Sequence, residues 1–327
     1  MRAIQAVTAG GPEVLTLHEV PDPSPGPGEV LVDVAAAGVN FIDTYRRSGV
    51  YPMPFPHIVG SEGAGRVAAL GEGVTTLAVG DRVAWSDAAG SYAQRVCVSA
   101  ERALPVPDGV SDTQAAALPL QGLTAHYLAT STFPLQPGQW ALVHAGAGGV
   151  GLLLIQLAVA RGAHVVTTVS TPQKADLARA AGAEAVIRYD ELADLTAELP
   201  ALVREATGGQ GVDVVYDGVG KATFDASLAS LRPRGMMVLF GGASGQVPPF
   251  DLQRLNAGGS LFVTRPTLVH YTADPAELHQ RARELFDAVT SGTLDVRVGG
   301  TYPLAEAAQA HRDLEGRRST GKLVLEI

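Results

Sequence analysis

Cysteine is nearly missing from this chain: Cys97 is the single one among 327 residues. One thiol can form no internal disulfide and no multi-cysteine zinc lobe, which points to a reducing, intracellular compartment. Lysine is scarce too, with only Lys174, Lys221 and Lys322 beside 21 arginines. Positive charge is in deficit overall, 24 basic residues against 33 acidic, a net −9. That balance disfavours nucleic-acid recognition through a global basic field and leaves only a local patch open. Long apolar runs are also absent. The longest beside a helix, Val150 to Ala160, is broken by Gly151 and Gln156 and is about half a membrane span. The opening stretch MRAIQAVTAGGPEV holds no apolar run of the signal-peptide kind. A soluble, cytoplasmic protein is expected.

What is present suits a large folded chain. A hydrophobic share of 46% supplies a core, and 17% charged residues exclude a disordered polyelectrolyte. The length suggests two domains. The first hundred residues predict short strands over 2–8, 14–20, 29–39, 65–70, 81–85 and 92–98, separated by turns such as the proline-rich PDPSPGPG. Near residue 110 the rhythm changes. A helix is expected over 111–129, and then strands at 140–145, 164–169, 186–189, 212–216, 236–240 and 261–264 alternate with helices at 149–161, 172–181 and 195–206. This alternation is the pattern of a parallel sheet with crossover helices. Two more helices, 275–291 and 304–314, precede a last strand at 322–326.

The most informative motif is Gly146-Ala147-Gly148-Gly149-Val150-Gly151, a GxGxxG match between a strand and a helix. Alone it would mark no more than a tight turn. Inside a strand-helix-strand unit it is the arrangement that cradles a dinucleotide pyrophosphate on glycine N–H groups and a helix N-terminus. A site for NAD usually places an acid about twenty residues further on, against the ribose 2′-hydroxyl. Here the corresponding stretch, Val166 to Lys174, has none. Ser170 can donate a hydrogen bond to a 2′-phosphate and Lys174 can add charge, so NADPH is expected in preference to NADH. The competing reading of Lys174 is a solvated helix lysine.

Other chemistries lack their residues. The eight histidines form no metal-ligand spacing, Cys97 has no second thiol and reads as a packing residue, and no GxSxG elbow is present. Hydride transfer remains, in which a nicotinamide supplies the reactivity. Several segments together sharpen this: GGPEVL (10–15), GVNFIDTYRRSGVYP (38–52), GSEGAGRV (60–67), LQGLTAHYL (120–128), HAGAGGVG (144–151), VYDGVG (215–220) and VTRPTL (263–268). In these the chain resembles, over essentially its whole length, quinone oxidoreductases of the zeta-crystallin type. These form part of the zinc-free branch of the medium-chain dehydrogenase/reductase superfamily.

The resemblance implies an α/β architecture, a Rossmann-type doubly wound parallel sheet domain (122–265) inserted into a β-rich GroES-like catalytic domain (1–121 and 266–327). Zinc-dependent relatives have a cysteine where Asn40 stands and a His-Glu pair where Ser61-Glu62 stand, so no metal is expected. It implies NADPH as cofactor and a quinone, bound between the domains, as substrate. Asn40, Tyr45, Tyr51 and Thr124 become the candidate catalytic residues, with Asn40 and Thr124 also facing the nicotinamide. Gly148, Gly149 and Val150 would hold the pyrophosphate. Ser170, Lys174, Tyr189 and Arg317 would surround the 2′-phosphate, and Phe240, Gly241, Val263, Thr264 and Arg265 would line the nicotinamide half. Plainer readings stand beside these: Tyr45 and Tyr51 as surface aromatics, Tyr189 as strand-end packing, Arg317 with Arg318 as a solvated face. The resemblance also implies a homodimer paired through the segment Leu261–Thr264. The rival functions are an NADPH-dependent enone reductase on the same fold and a non-catalytic NADPH- or RNA-binding protein.

Overall fold

The computed structural model describes residues Met1–Ile327. Two compact units are present, Met1–Leu123 with Ala273–Ile327, and Thr124–Thr272. The second crossing of the chain falls after Thr272, not at the expected 265/266. Tyr271 explains the difference: its ring stacks on Tyr127 with centroids 4.3 Å apart, which keeps the short helix Leu268–Tyr271 with the second unit.

The first unit is built around the long strand Glu29–Val39. Along one side it pairs antiparallel with Glu62–Leu70, bulging at Leu31/Val32 and Val34/Ala36. Along the other side it has two partners in succession. Arg95–Ser99 covers Glu29 to Asp33, and the last strand of the chain, Lys322–Glu326, covers Ala36 to Val39. The C-terminal strand therefore lies beside the residues that lead into Asn40. Alternating valines explain the burial: Val30, Val32 and Val34 pack with Val67, Val83, Trp85, Val96 and Val98. A second cluster gathers Ile4, Val39, Val59, Tyr92, Leu304, Leu323 and Leu325. The strand Val298–Pro303, parallel to Lys322–Glu326, escapes sequence reading because Gly299 and Gly300 interrupt its apolar pattern and its register shifts there.

The second unit carries one six-stranded sheet in the order Ala185–Arg188, His164–Val169, Trp140–Val143, Val212–Asp217, Leu231–Leu239, Phe262–Thr264. Every pairing is parallel. The order reverses between Trp140–Val143 and Val212–Asp217, and ligands of open α/β sheets bind at the strand ends beside such a switch. Helix Gly149–Ala160 buries Gly151, Leu152, Leu153, Leu154, Ile155 and Ala158, as expected for a helix that is apolar around most of its circumference.

The single helix expected over 111–129 is instead two, Asp112–Ala117 and Pro119–Tyr127. Pro119 has no N–H to continue the first, so it opens the second. The second helix widens into a π turn, Leu128–Thr132. The buried Tyr216 hydroxyl donates to Leu128 O and Phe133 O at either end of that turn, both at 3.2 Å. Tyr216→Phe should therefore lower stability by about 1–2 kcal/mol, the worth of buried hydrogen bonds with no replacement. Urea unfolding checks this, and an unchanged midpoint would show the turn holding by itself.

Candidate active site

The glycine loop follows strand Trp140–Val143, and its shape demands its residues. Ala145 takes φ +55°, after which Gly146 N donates to Thr168 O at 3.1 Å. A Cβ on Gly146 would lie 1.9 Å from Thr167 Oγ1, and one on Gly151 would lie 2.4 Å from Ala145 O. Gly148 is the N-cap of helix Gly149–Ala160, and no side chain caps the first turn. The first-turn N–H groups, those of Gly149 and Val150 among them, are thus oriented for an anion. This close backbone approach and uncapped helix end fit a dinucleotide pyrophosphate.

Beneath the loop is a buried polar network that sequence reasoning missed. His144 Nδ1 meets Thr168 Oγ1 and Nε2 meets Ser227 Oγ, both at 2.9 Å. Ser227 donates to Asp217 Oδ2 at 2.8 Å, so its oxygen accepts from Nε2–H and Thr168 donates to Nδ1. Burial lowers the His144 pKa, with Asp217 acting the other way, and the ring is neutral. Asp217 also accepts from Thr223 Oγ1 and from Val219 N and Gly220 N. Three neighbouring strand ends and the helix Phe224–Ser230 are tied together this way. The only sequence signal was a polar residue at the end of each apolar strand.

In the first unit, Asn40 ends strand Glu29–Val39 and begins helix Phe41–Arg47. Its amide is fully oriented. Oδ1 accepts from Lys322 Nζ at 2.6 Å, and Nδ2 donates to Glu62 Oε2 at 2.8 Å and to Gly38 O at 3.3 Å. Lys322 Nζ is 2.5 Å from Glu62 Oε2, and Glu62 Oε1 accepts from Leu120 N at 2.7 Å. Asp43, three residues into the helix, accepts from Asn40 N, Ser61 Oγ and Tyr92 OH. Burial pushes the Asp43 carboxyl up to about 6, although Ser61, Lys322 and Arg46 all pull it down. Beyond Tyr92, His311 accepts from Arg47 at Nδ1 and so donates from Nε2 to the phenol oxygen. Burial, and then Arg47, push His311 down to about 3.

Residues 26–108 match the alcohol dehydrogenase GroES-like domain family, and residues 149–283 match the zinc-binding dehydrogenase family. The quinone oxidoreductase of Pseudomonas aeruginosa is 45% identical over 99% of each chain. The 2-haloacrylate reductase of a Burkholderia species is 43% identical, over 97% of this chain and 96% of that one. A mycobacterial protein solved in complex with NADPH is 52% identical, with a TM-score of 0.97 over 100% of both chains. The chain belongs to the zeta-crystallin-type quinone oxidoreductase family.

Within this quinone oxidoreductase family member the expected residues fall into groups. In the first unit Tyr45 and Tyr51 meet edge-on with centroids 5.4 Å apart, and Tyr51 N donates to Tyr45 O. Asn40 instead caps the start of the helix that carries Tyr45 and turns its amide to Lys322 and Glu62. Arg317, with φ +57°, follows helix Ala307–Glu315 in that unit. In the second unit, Val169 is in register with Arg188, so Ser170 and Tyr189 leave adjacent strands side by side. Lys174 is in the first turn of the next helix, capped by Thr171. Phe240 and Gly241 follow strand Leu231–Leu239, Val263 and Thr264 form the last strand, and Arg265 follows it. Thr124 is a buried residue of helix Pro119–Tyr127.

A zinc ion does not fit the residues present. Asn40 Oδ1 and Glu62 Oε2 already face the Lys322 ammonium, and Ser61 Oγ lies between Arg46 and Asp43. An ammonium and a guanidinium hold the oxygens that a metal would need.

The two shifted groups also set a pH dependence. A carboxyl that binds its proton more tightly folded (about 6) than unfolded (3.8) lowers stability as pH rises across that interval. A histidine held neutral when folded (about 3, against 6.5) does the opposite, raising stability over the same range. Asp43→Asn removes only the first. Its unfolding free energy should therefore climb more steeply with pH between 4 and 6 than that of the parent protein. Parallel curves in urea titrations would sink this assignment.

Proposed function

We propose that this protein is an NADPH:quinone oxidoreductase that works without a metal. One observation carries the reading: a glycine cradle shaped for a pyrophosphate stands beside a strand end that offers Ser170 and no acid, followed by a helix whose first turn carries Lys174. The full-length similarity to a quinone oxidoreductase supports it. When bound, the reduced nicotinamide supplies hydride to the acceptor. Gly148, Gly149 and Val150 hold the pyrophosphate on backbone N–H groups. Ser170, Lys174 and Tyr189, joined by Arg317, bind the 2′-phosphate. Phe240, Gly241, Val263, Thr264 and Arg265 flank the nicotinamide half, with Thr124 beside the ring. Asn40, whose amide hydrogens are both engaged, acts through the fixed position of its carbonyl. Tyr45 and Tyr51 form the aromatic wall for a flat acceptor.

The Burkholderia relative supports a second reading, reduction of a carbon–carbon double bond conjugated to a carbonyl. Turnover of a naphthoquinone against that of an enone and a 2-haloacrylate decides between them, and a large preference for either alkene overturns the first. Lys174→Ala should weaken NADPH binding by about 1–3 kcal/mol, the scale of a charge-assisted hydrogen bond, while NADH binding holds. Equal losses with both cofactors would free Lys174 from the phosphate.

We further propose a cytoplasmic homodimer. No helix is long and apolar enough to cross a membrane. The edge strand Phe262–Thr264 leaves Phe262 57% and Val263 38% exposed, an open apolar edge of the kind proteins cover. Phe262→Lys should shift sedimentation from dimer to monomer, whereas a monomeric parent protein would remove the proposal.

A further inference from the structure

Hydride delivery to a carbonyl-type acceptor leaves negative charge on oxygen, and a site poor in water needs a donor or cation there. Three cationic side chains lie along the network that runs from Asn40 through Asp43 and Ser61 to His311. Lys322 is 1% exposed and bound to Glu62 and Asn40. Arg47 is 2% exposed and is shared among Glu315, His311 and Gly10 O. Arg46 differs from both. It is half-buried and follows Tyr45 on the same helix. It spends one N–H on Ser61 Oγ at 2.7 Å, and no carboxylate lies within ion-pair distance.

We propose that Arg46 is a catalytic residue, the group that hydrogen-bonds the acceptor oxygen as charge develops on it. This rests on the reading of Asn40 and Tyr45 as the reacting end of the site. Asp43 holds the arginine at one remove: Ser61 donates to Asp43 Oδ1 at 2.8 Å and accepts from Arg46 Nη1. The planar guanidinium is thereby anchored at one nitrogen, with further N–H groups free for a carbonyl oxygen. In the step itself the C–H bond of the reduced nicotinamide breaks, and the hydride delivered to one quinone oxygen forms an O–H bond there. An electron pair moves through the conjugated ring to the opposite oxygen, which faces the guanidinium as a phenolate. Bulk water then protonates that phenolate, completing the hydroquinone and releasing hydroxide, and Arg46 keeps its own proton.

The test pairs Arg46→Met with Arg46→Lys and uses two readouts. With a naphthoquinone, Arg46→Met should lower kcat about 100-fold, as the loss of an oxyanion donor does. Arg46→Lys should recover part of that. NADPH binding, followed by nicotinamide fluorescence, and melting temperature should hold in both. The second readout needs no turnover. 4-Nitrophenol added to the NADP⁺-bound protein should bind as its yellow anion, its apparent pKa lowered by the parent protein and by Arg46→Lys but not by Arg46→Met. Quinone turnover that survives Arg46→Met overturns the inference and leaves the quinone reading intact. A protein that reduces no quinone defeats that reading, and the nitrophenol signature then judges Arg46 alone. Failure to bind the anion, or equal binding by all three proteins, overturns the inference as well.

Discussion

One ammonium and one carboxylate, both removed from water, hold the Asn40 end of the first unit together. Lys322 is 1% exposed and Glu62 is 0% exposed. Desolvating such charges costs several kcal/mol each, and their attraction offsets this only where the remaining donors and acceptors are also matched. Here the Asn40 amide bridges both partners, and Leu120 N occupies the other carboxylate oxygen. Four stretches far apart in sequence therefore meet at one point: the end of strand Glu29–Val39, the start of strand Glu62–Leu70, the start of helix Pro119–Tyr127, and the last strand. Breaking the pair from either side would leave one charge stranded, at about 3–5 kcal/mol. The same pair fixes which way the Asn40 carbonyl faces.

The second unit answers a similar demand with a neutral ring. His144 has a donor to satisfy at one nitrogen and an acceptor at the other, and Ser227 and Thr168 supply both complements. Asp217 is the only charge, and it is held by two hydroxyls and the N–H groups of Val219 and Gly220. Backbone donors that bind a carboxylate at such a site also stop the loop from drifting. The glycine loop meets the same network through Thr168, whose carbonyl receives Gly146 N. Phosphate-binding N–H groups are effective only when the backbone carrying them is fixed before the ligand arrives. The network supplies that rigidity from below.

The contrast between what sequence reading found and what it missed follows from range. The glycine loop, the alternation of strand and helix from Trp140 onward, and the acid-free segment around Ser170 are local patterns, and local patterns set backbone conformation. Lys322 gave no such signal. Its role exists only because Lys322–Glu326 lies beside Ala36–Val39, a pairing that spans nearly the whole chain. His144 looked like the residue before a motif, and Ser227 like an ordinary helix residue. Pro119 marks the split locally, but the alanine-rich run around it has the composition of one continuous helix. The strand Val298–Pro303 was hidden by its two glycines.

The scarcity of lysine acquires a physical meaning from these sites. A lysine head is a compact charge with three donors, which suits the closed space between Asn40 Oδ1 and Glu62 Oε2, where both partners are single oxygens. An arginine has five donors in a rigid fork and would bring more N–H groups than that pocket has acceptors. Arginine fits the other two positions for the same reason. Arg47 spends its fork on Glu315, His311 and Gly10 O, whereas Arg46 is held at one nitrogen by Ser61. Within one small cluster, then, the number of acceptors around each cation separates its role. Lys322 and Arg47 each spend all but one of their N–H groups on acceptors and are structural, whereas Arg46 spends one of five and is available to a substrate oxygen.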